Sequence, residues 1–387
     1  MIKRIINISV AEMGHIMRTP IYWFSMIIFP IIIIIFFTSL LYEGQPKDLP
    51  CGVVDNDNTS VTRSMVRTLN SFQGTDITNR YNTVTEARKA IQRDEIYAFL
   101  YIPKNTTVKL LTNRQPKISF YYSNISIMAG TMLFKDLKLV TTLSSAAVAQ
   151  SKLMMIGKTE EEIKNFIQPI NINMHTIGNP LLNYNSYLTT FIVPGIFILF
   201  ILTVTAYSLG TEIKFNHAKK WMNMANNNIY IALAGKLFPH FLIFFTIFIC
   251  FDLYIYGYLN FPHNGNIFNI VLLSFLTVIS SQGLAVFFFG LVPSLRMSMS
   301  ICSLWAMIGF SICGATFPVF AMDKILEVAS NLFPLRHYYM IYQMNIFNNY
   351  PLFYSKFHLF SLVIFILLPI LCVWNIKKAM TQYVYIP

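Results

Sequence analysis

What this 387-residue chain has least of is charge: Asp, Glu, Lys and Arg make up 12% of it, against 55% apolar residues and 34 Phe. That balance excludes a purely soluble enzyme and describes a chain dissolved largely in lipid. There is no GxxxxGK[ST] loop, so the chain lacks a Walker-type site for hydrolysing nucleotide, and any dependence on ATP must come from a partner. HExxH, GxSxG and closely spaced acidic metal patterns are missing too, and the seven His are scattered, which leaves catalysis without a constellation. No CxxC pair occurs. Cys250, Cys302, Cys313 and Cys372 lie in apolar runs and Cys51 stands alone in a polar region, which gives no zinc site and no disulfide framework. The net charge of +12 is spread among apolar runs with no Lys/Arg block, which argues against nucleic acid and for basic flanks of membrane spans.

What is present is a set of long apolar runs. The first, Ile21 to Tyr42, has 22 uncharged residues, about 33 Å as a helix and enough to cross a bilayer. It exceeds the h-region of a cleaved signal peptide and ends in Leu-Leu-Tyr-Glu-Gly, so it reads as an anchor. Further spans are expected at Tyr187–Gly210, Phe241–Leu259, Ile267–Val292, Met297–Pro318 and Phe357–Trp374, making six. Lys3, Arg4 and Arg18, then Lys214, Lys219, Lys220 and Lys236, then Arg296, then Lys377 and Lys378 fall on one side if the spans alternate. Both termini are therefore expected in the cytoplasm.

Residues 43–186 hold 28 of the chain's 46 charged residues and read as an α+β domain on the far side of the membrane. Strands are expected at Cys51–Val54, Ile77–Tyr81, Ile96–Ile102, Val108–Leu111 and Lys117–Tyr122. Helices are expected from Thr59 or Ser60 to Phe72, from Thr85 to Arg93, and over Ser126–Met155. The fold class is thus a polytopic α-helical membrane protein with six transmembrane helices and an extracytoplasmic α+β domain between the first and second. Its parts are a cytoplasmic interfacial helix (1–19), the first span (20–42), the domain (43–186), spans two to six (187–376) and a cytoplasmic tail (377–387).

Asp252 is the only acid deep in an expected span, where a charge is costly. It either touches a transported solute or proton, or makes a polar contact with another helix, or is protonated in place. His240 lies too far along the same helix to pair with it, and a hydrated helix end accounts for that histidine. Residues 1–18 set Ile2, Ile5, Ile6, Met13, Ile16 and Met17 near one face, as in a helix lying in a membrane surface or in a plain basic flank of the first span. The loop over 211–236 is polar with embedded Phe215, Trp221 and Met222, the pattern of a short helix whose exposed apolar anchors dock a soluble partner, or of a loop resting on the membrane.

The order of parts resembles the membrane subunit of an ABC-2 type exporter, in the branch with a large external domain found among bacterial drug-efflux permeases. The resemblance spans essentially the whole chain. Its carriers are Val-Val-Asp-Asn-Asp at 53–57, Ala-Phe-Leu-Tyr-Ile-Pro-Lys-Asn at 98–105, Glu212 after the second span, Gly235-Lys236-Leu237 as a turn into the third, Phe317-Pro318, and Phe333-Pro334-Leu335-Arg336-His337-Tyr338-Tyr339. The chain departs from the family in Lys214, Phe215, Asn216 and His217, where acidic and Arg residues are usual. The resemblance implies that ATP and Mg are held by a separate ATPase subunit, none being bound by this chain. Coupling would run through Glu212, Lys214, Phe215, His217, Lys219, Lys220, Trp221, Met222, Gly235 and Lys236. It implies a second permease, identical or paralogous, and an outer re-entrant segment at 319–355. Asp252, Phe317, Pro318, Phe333 and Pro334 become candidates for the solute path. The expected location is a bacterial plasma membrane, which is the inner membrane if the cell is Gram-negative, in which case a periplasmic adaptor has room to join. A membrane-anchored sensor or scaffold needs only one or two spans, and an intramembrane enzyme needs an acid/base or metal cluster.

Overall fold

The structure, a computed structural model, describes residues 1–112, 114–170, 173, 175, 179 and 182–382. The end of the expected tail, residues 383–387, lies outside the described residues. Two compact units separate, Met1–Tyr42 with Ile177–Pro387 and Glu43–Thr176.

Helix α1 (Ile2–Arg18) stops because Thr19 precedes a proline and is forced into extended backbone, and Pro20 then sits at the first position of the next helix, where its missing N–H costs nothing. That helix is the first span, Pro20–Leu40. It widens into a π turn over Phe24–Ile28 just ahead of Pro30, whose ring would otherwise crowd the preceding turn.

The second unit is built on a four-stranded sheet of order β2-β1-β3-β4, from β1 (Leu49–Asp55), β2 (Thr75–Arg80), β3 (Ala98–Ile102) and β4 (Ser119–Tyr122). Its first three strands are parallel and β4 runs antiparallel to β3. Helix α2 (Ser60–Asn70), capped by Thr59, and α3 (Val84–Gln92), capped by Thr83, make the crossovers. Cys51, Val53, Leu100 and Ile102 form the core with Leu133 and Leu137 of a long helix. The Asp-Asn-Asp after β1 has a structural job. Asp55 accepts from the amides of Asp57 and Asn58, and Asp57 accepts from the amide and hydroxyl of Thr107, joining the loops that follow β1 and β3. Burial works against the ionised form of Asp57, but these hydrogen bonds prevail and hold its carboxyl below the ordinary range. The strand expected at Val108–Leu111 is instead helix α4 (Thr106–Leu111): β4 already occupies the free edge of β3, so the short apolar run coils after Pro103. Helices α5 (Ile127–Met155) and α6 (Glu160–Ile167) complete the unit.

In the first unit the second span, Asn185–Lys214, leads through a short helix, α7 (Ala218–Met224), to the third, Ile229–Tyr258. The fourth is Ile267–Leu291, the fifth Leu295–Ile312 and the sixth Leu352–Gln382, with α8 (Lys324–Ser330) and α9 (Pro334–Ile341) between the last two. The third span begins twelve residues before the expected Phe241, so Gly235-Lys236-Leu237 is helix and not a turn. The fifth ends short of the expected Pro318 because Gly314, at φ +99°, turns the chain. The second and fourth spans are the buried centre, 67% of their apolar stretches being covered against 28% for the first, fifth and sixth. The fourth and sixth approach backbone to backbone: a Cβ on Gly283 would lie 2.4 Å from the Phe365 carbonyl oxygen. Gly283→Ala should therefore destabilise the bundle by about 1–3 kcal/mol, read as a lower thermal midpoint in detergent. An unchanged midpoint would mean that the two spans are not packed this closely.

Candidate functional site

The most heavily charged buried place in the first unit lies where α1 meets the second and third spans. Lys236 is 1% exposed, and its ammonium lies 2.8 Å from Glu12 Oε2 and 2.7 Å from Glu212 Oε1. His240, one turn further on, places Nε2 3.0 Å from Glu12 Oε1, and Ser208 donates to the same oxygen. Burial alone would raise the pKa of Glu12. The ammonium of Lys236 and the hydrogen bond to His240 outweigh it, and the carboxyl is lowered to about 2. Sequence reasoning placed His240 at a hydrated helix end, but it is fully buried, because α1 lays Glu12 across it.

The chain is shaped for this contact. Pro239 cannot donate to the Gly235 carbonyl one turn back, and Ser9 of α1 supplies the missing donor at 2.8 Å. Gly235 itself leaves room for α1, since a Cβ there would stand 2.8 Å from Ile8 Cβ. Tyr22, at the start of the first span, sets its ring edge-on to that of His240.

Helix α7 packs on the same place. Trp221 was expected as an exposed anchor, yet it is 6% exposed, and Met222 is 2% exposed. Both belong to one apolar cluster with Ile8, Ile213, Phe289 and Ile376, and the Trp221 ring lies 5.7 Å from the Lys236 ammonium. The exposed residues of the expected coupling set are Phe215, at 57%, with Lys214, His217, Lys219 and Lys220. A pocket of about 180 Å³ opens beside them, lined by Glu12, His15, Glu212, His217, Lys220 and Trp221. The structure thus gathers Glu212, Trp221, Met222, Gly235 and Lys236 into one buried root and leaves a basic, phenylalanine-bearing surface above it.

The residues proposed for a solute path are not gathered. Asp252 accepts from Ser274 of the fourth span at 2.7 Å, and no ion pair reaches it among the described residues. Phe317 and Pro318 are exposed, while Phe333 and Pro334 are buried, Phe333 stacking on Trp305. Among the described residues there is no group of three His, Cys, Asp or Glu able to hold a metal ion.

Residues 20–374 match the family described as ABC-2 family transporter protein. The chain belongs to that family. This multi-pass chain is accordingly a membrane transport component of the ABC-2 type. No curated protein matches it.

Sequence reasoning missed Glu12 and Ser9. Glu12 carried a signal, since it falls in register with Ile5, Ile8 and Ile16 on one helical face, where a lone acid needs a cation. Removing it leaves a buried ammonium with one carboxylate, so Glu12→Gln should cost about 3–5 kcal/mol of stability. Because the folded carboxyl titrates below its ordinary 4.5, at about 2, the stabilisation is complete above pH 4.5 and is lost as pH falls toward 2. Thermal midpoints of parent and Glu12→Gln should differ at pH 7 and converge over that acidic interval. A constant gap would assign the loss to packing instead.

Proposed function

We propose that the chain is the permease subunit of an ATP-driven exporter, working as a pair of permeases with two separate ATPase subunits that hold the ATP and Mg. The observation that carries this reading is the buried joint Glu12–Lys236–Glu212, which ties α1 and the second and third spans into one body directly beneath the exposed face of α7. Force applied to Phe215, Lys219 and Lys220 by a soluble partner is delivered to the second and third spans without slack. Solute movement then follows from a change in how the spans of the two permeases meet.

In this reading the joint lies on the cytoplasmic side of a bacterial plasma membrane. Its support is that Lys214, Lys219, Lys220, Lys377 and Lys378 flank a single apolar cluster shared by α1, α7 and the ends of the second, third, fourth and sixth spans, as the positive-inside rule requires. Both termini are then cytoplasmic and the Glu43–Thr176 unit is outside. In a background without the native cysteines, Lys104→Cys and Lys158→Cys should react with an impermeant thiol reagent applied to intact cells, and Asn216→Cys and Lys378→Cys should not. The reverse labelling would invert the topology.

Purified from its native membrane, the chain should carry an ABC ATPase with it, and reproducible absence of one would sink the coupling reading. With Trp221 buried, Phe215 becomes the exposed anchor. Phe215→Ala should weaken the complex roughly tenfold, about 1.4 kcal/mol, with no loss of thermal stability, whereas Trp221→Ala should lower stability first. Asp252→Asn separates the two roles of that residue: a contact with a cationic solute predicts lost export with normal assembly, and unchanged export leaves only the bond to Ser274.

A further inference from the structure

Helix α1 has three faces. Ile8, Glu12 and Ile16 turn into the bundle. Asn7, Ala11, Gly14 and Arg18 form a polar side. The third face is a strip of Ile2, Ile6, Val10, Met13 and Met17, spaced at three and four residues, and Ile2, Ile6, Val10 and Met17 are exposed. Between this strip and the third span runs a groove of about 380 Å³ whose far wall is Phe238, Pro239 and Leu242. Its one polar side chain, Ser9, is turned away to the Gly235 carbonyl.

Two observations say what fills the groove. Its far wall is part of a membrane span, and Phe238 and Leu242 are themselves exposed there, so the groove is continuous with surface that faces hydrocarbon. The second is charge. The only acid of α1 is buried against Lys236, while Lys3, Arg4 and Arg18 are exposed, so the outer surface of the helix presents cations and no anion. Lys3 lies about 20° round the helix from Val10, at the margin of the apolar strip, whereas Arg4 lies about 100° further round, on the polar side. We propose that the groove seats an acyl chain of an anionic phospholipid, with the lipid head group on Lys3. A bound lipid then braces α1 from the side opposite its polar face and helps hold Ser9 and Ile8 against Gly235.

The ATPase plays no part in this inference, because it is read on the purified chain alone. The experiment is a titration of the delipidated protein with dioleoyl phosphatidylglycerol or dioleoyl phosphatidylcholine, followed by native mass spectrometry. The parent should retain phosphatidylglycerol about fivefold more tightly, the effect of one basic side chain beside a head group of net negative charge, since the choline of phosphatidylcholine neutralises its phosphate. Lys3→Gln should abolish that preference, and Ile6→Trp, which fills the groove from an exposed position, should weaken both lipids. All these side chains are exposed, and an unchanged thermal midpoint in phosphatidylcholine nanodiscs shows that the variants fold. Equal retention of the two lipids by the parent, or parental phosphatidylglycerol retention in either variant, would overturn the proposal. So would a stoichiometric protein that stays with the parent in pure phosphatidylcholine and is lost from Ile6→Trp.

Discussion

An ammonium group with 1% of its surface exposed must be answered by anions at hydrogen-bonding distance, and in this chain the answer comes from two other helices. Lys236 takes one carboxylate from Glu12 of α1 and one from Glu212 of the second span, and His240 and Ser208 occupy the remaining oxygen of Glu12. Much else near it exists to let these groups meet. Gly235 lets α1 approach, Pro239 frees the carbonyl that Ser9 then binds, and Trp221 closes the joint from the side of α7. A hydrophobic isostere of Lys236 could pack as stably, but it would not specify which helix faces which. The ion cluster sets the register of α1 against both spans at once.

Much of the architecture was legible from composition. Long uncharged runs located all six spans, and clustering of charge between the first two isolated the α+β unit. Helix ends were less legible, because helices do not stop where hydrocarbon does. Lys236 looks like the end of a polar loop, but its charge is neutralised within a helix that starts at Ile229. The burial of Trp221 had a readable signal: Ala218, Trp221, Met222 and Ala225 repeat at three, four and seven residues, the spacing of one buried helical face. Its polar neighbours hid this, since each of them lies on the other side of α7. The partnership of Glu12 with Lys236 could not be read, as nothing local connects residues 224 positions apart.

The second and third spans differ in backbone regularity between their two ends. Where α1 and α7 pack, the second and third spans are α-helical and tied by charge, and the π turn of that end lies in the first span. At the opposite end the second span opens with a π turn at Asn185–Thr189, the third closes with one at Leu253–Tyr258, and α9 runs into another at Tyr342–Phe347. The amides of Asn264 and Gly265 both bond to the Ile346 carbonyl, so the third-to-fourth span loop leans on the last of these turns. A π turn carries one residue more than an α turn and can return to α geometry by a shift of register. A displacement delivered through the ion cluster would pass along the second and third spans as rigid rods. It would be absorbed where their backbones are already irregular, at the end where the second span begins and the third closes. Under the proposed coupling, irregular backbone at one end only would give a push on α7 a direction, and the ion cluster would keep that push from being dissipated before it reaches the spans.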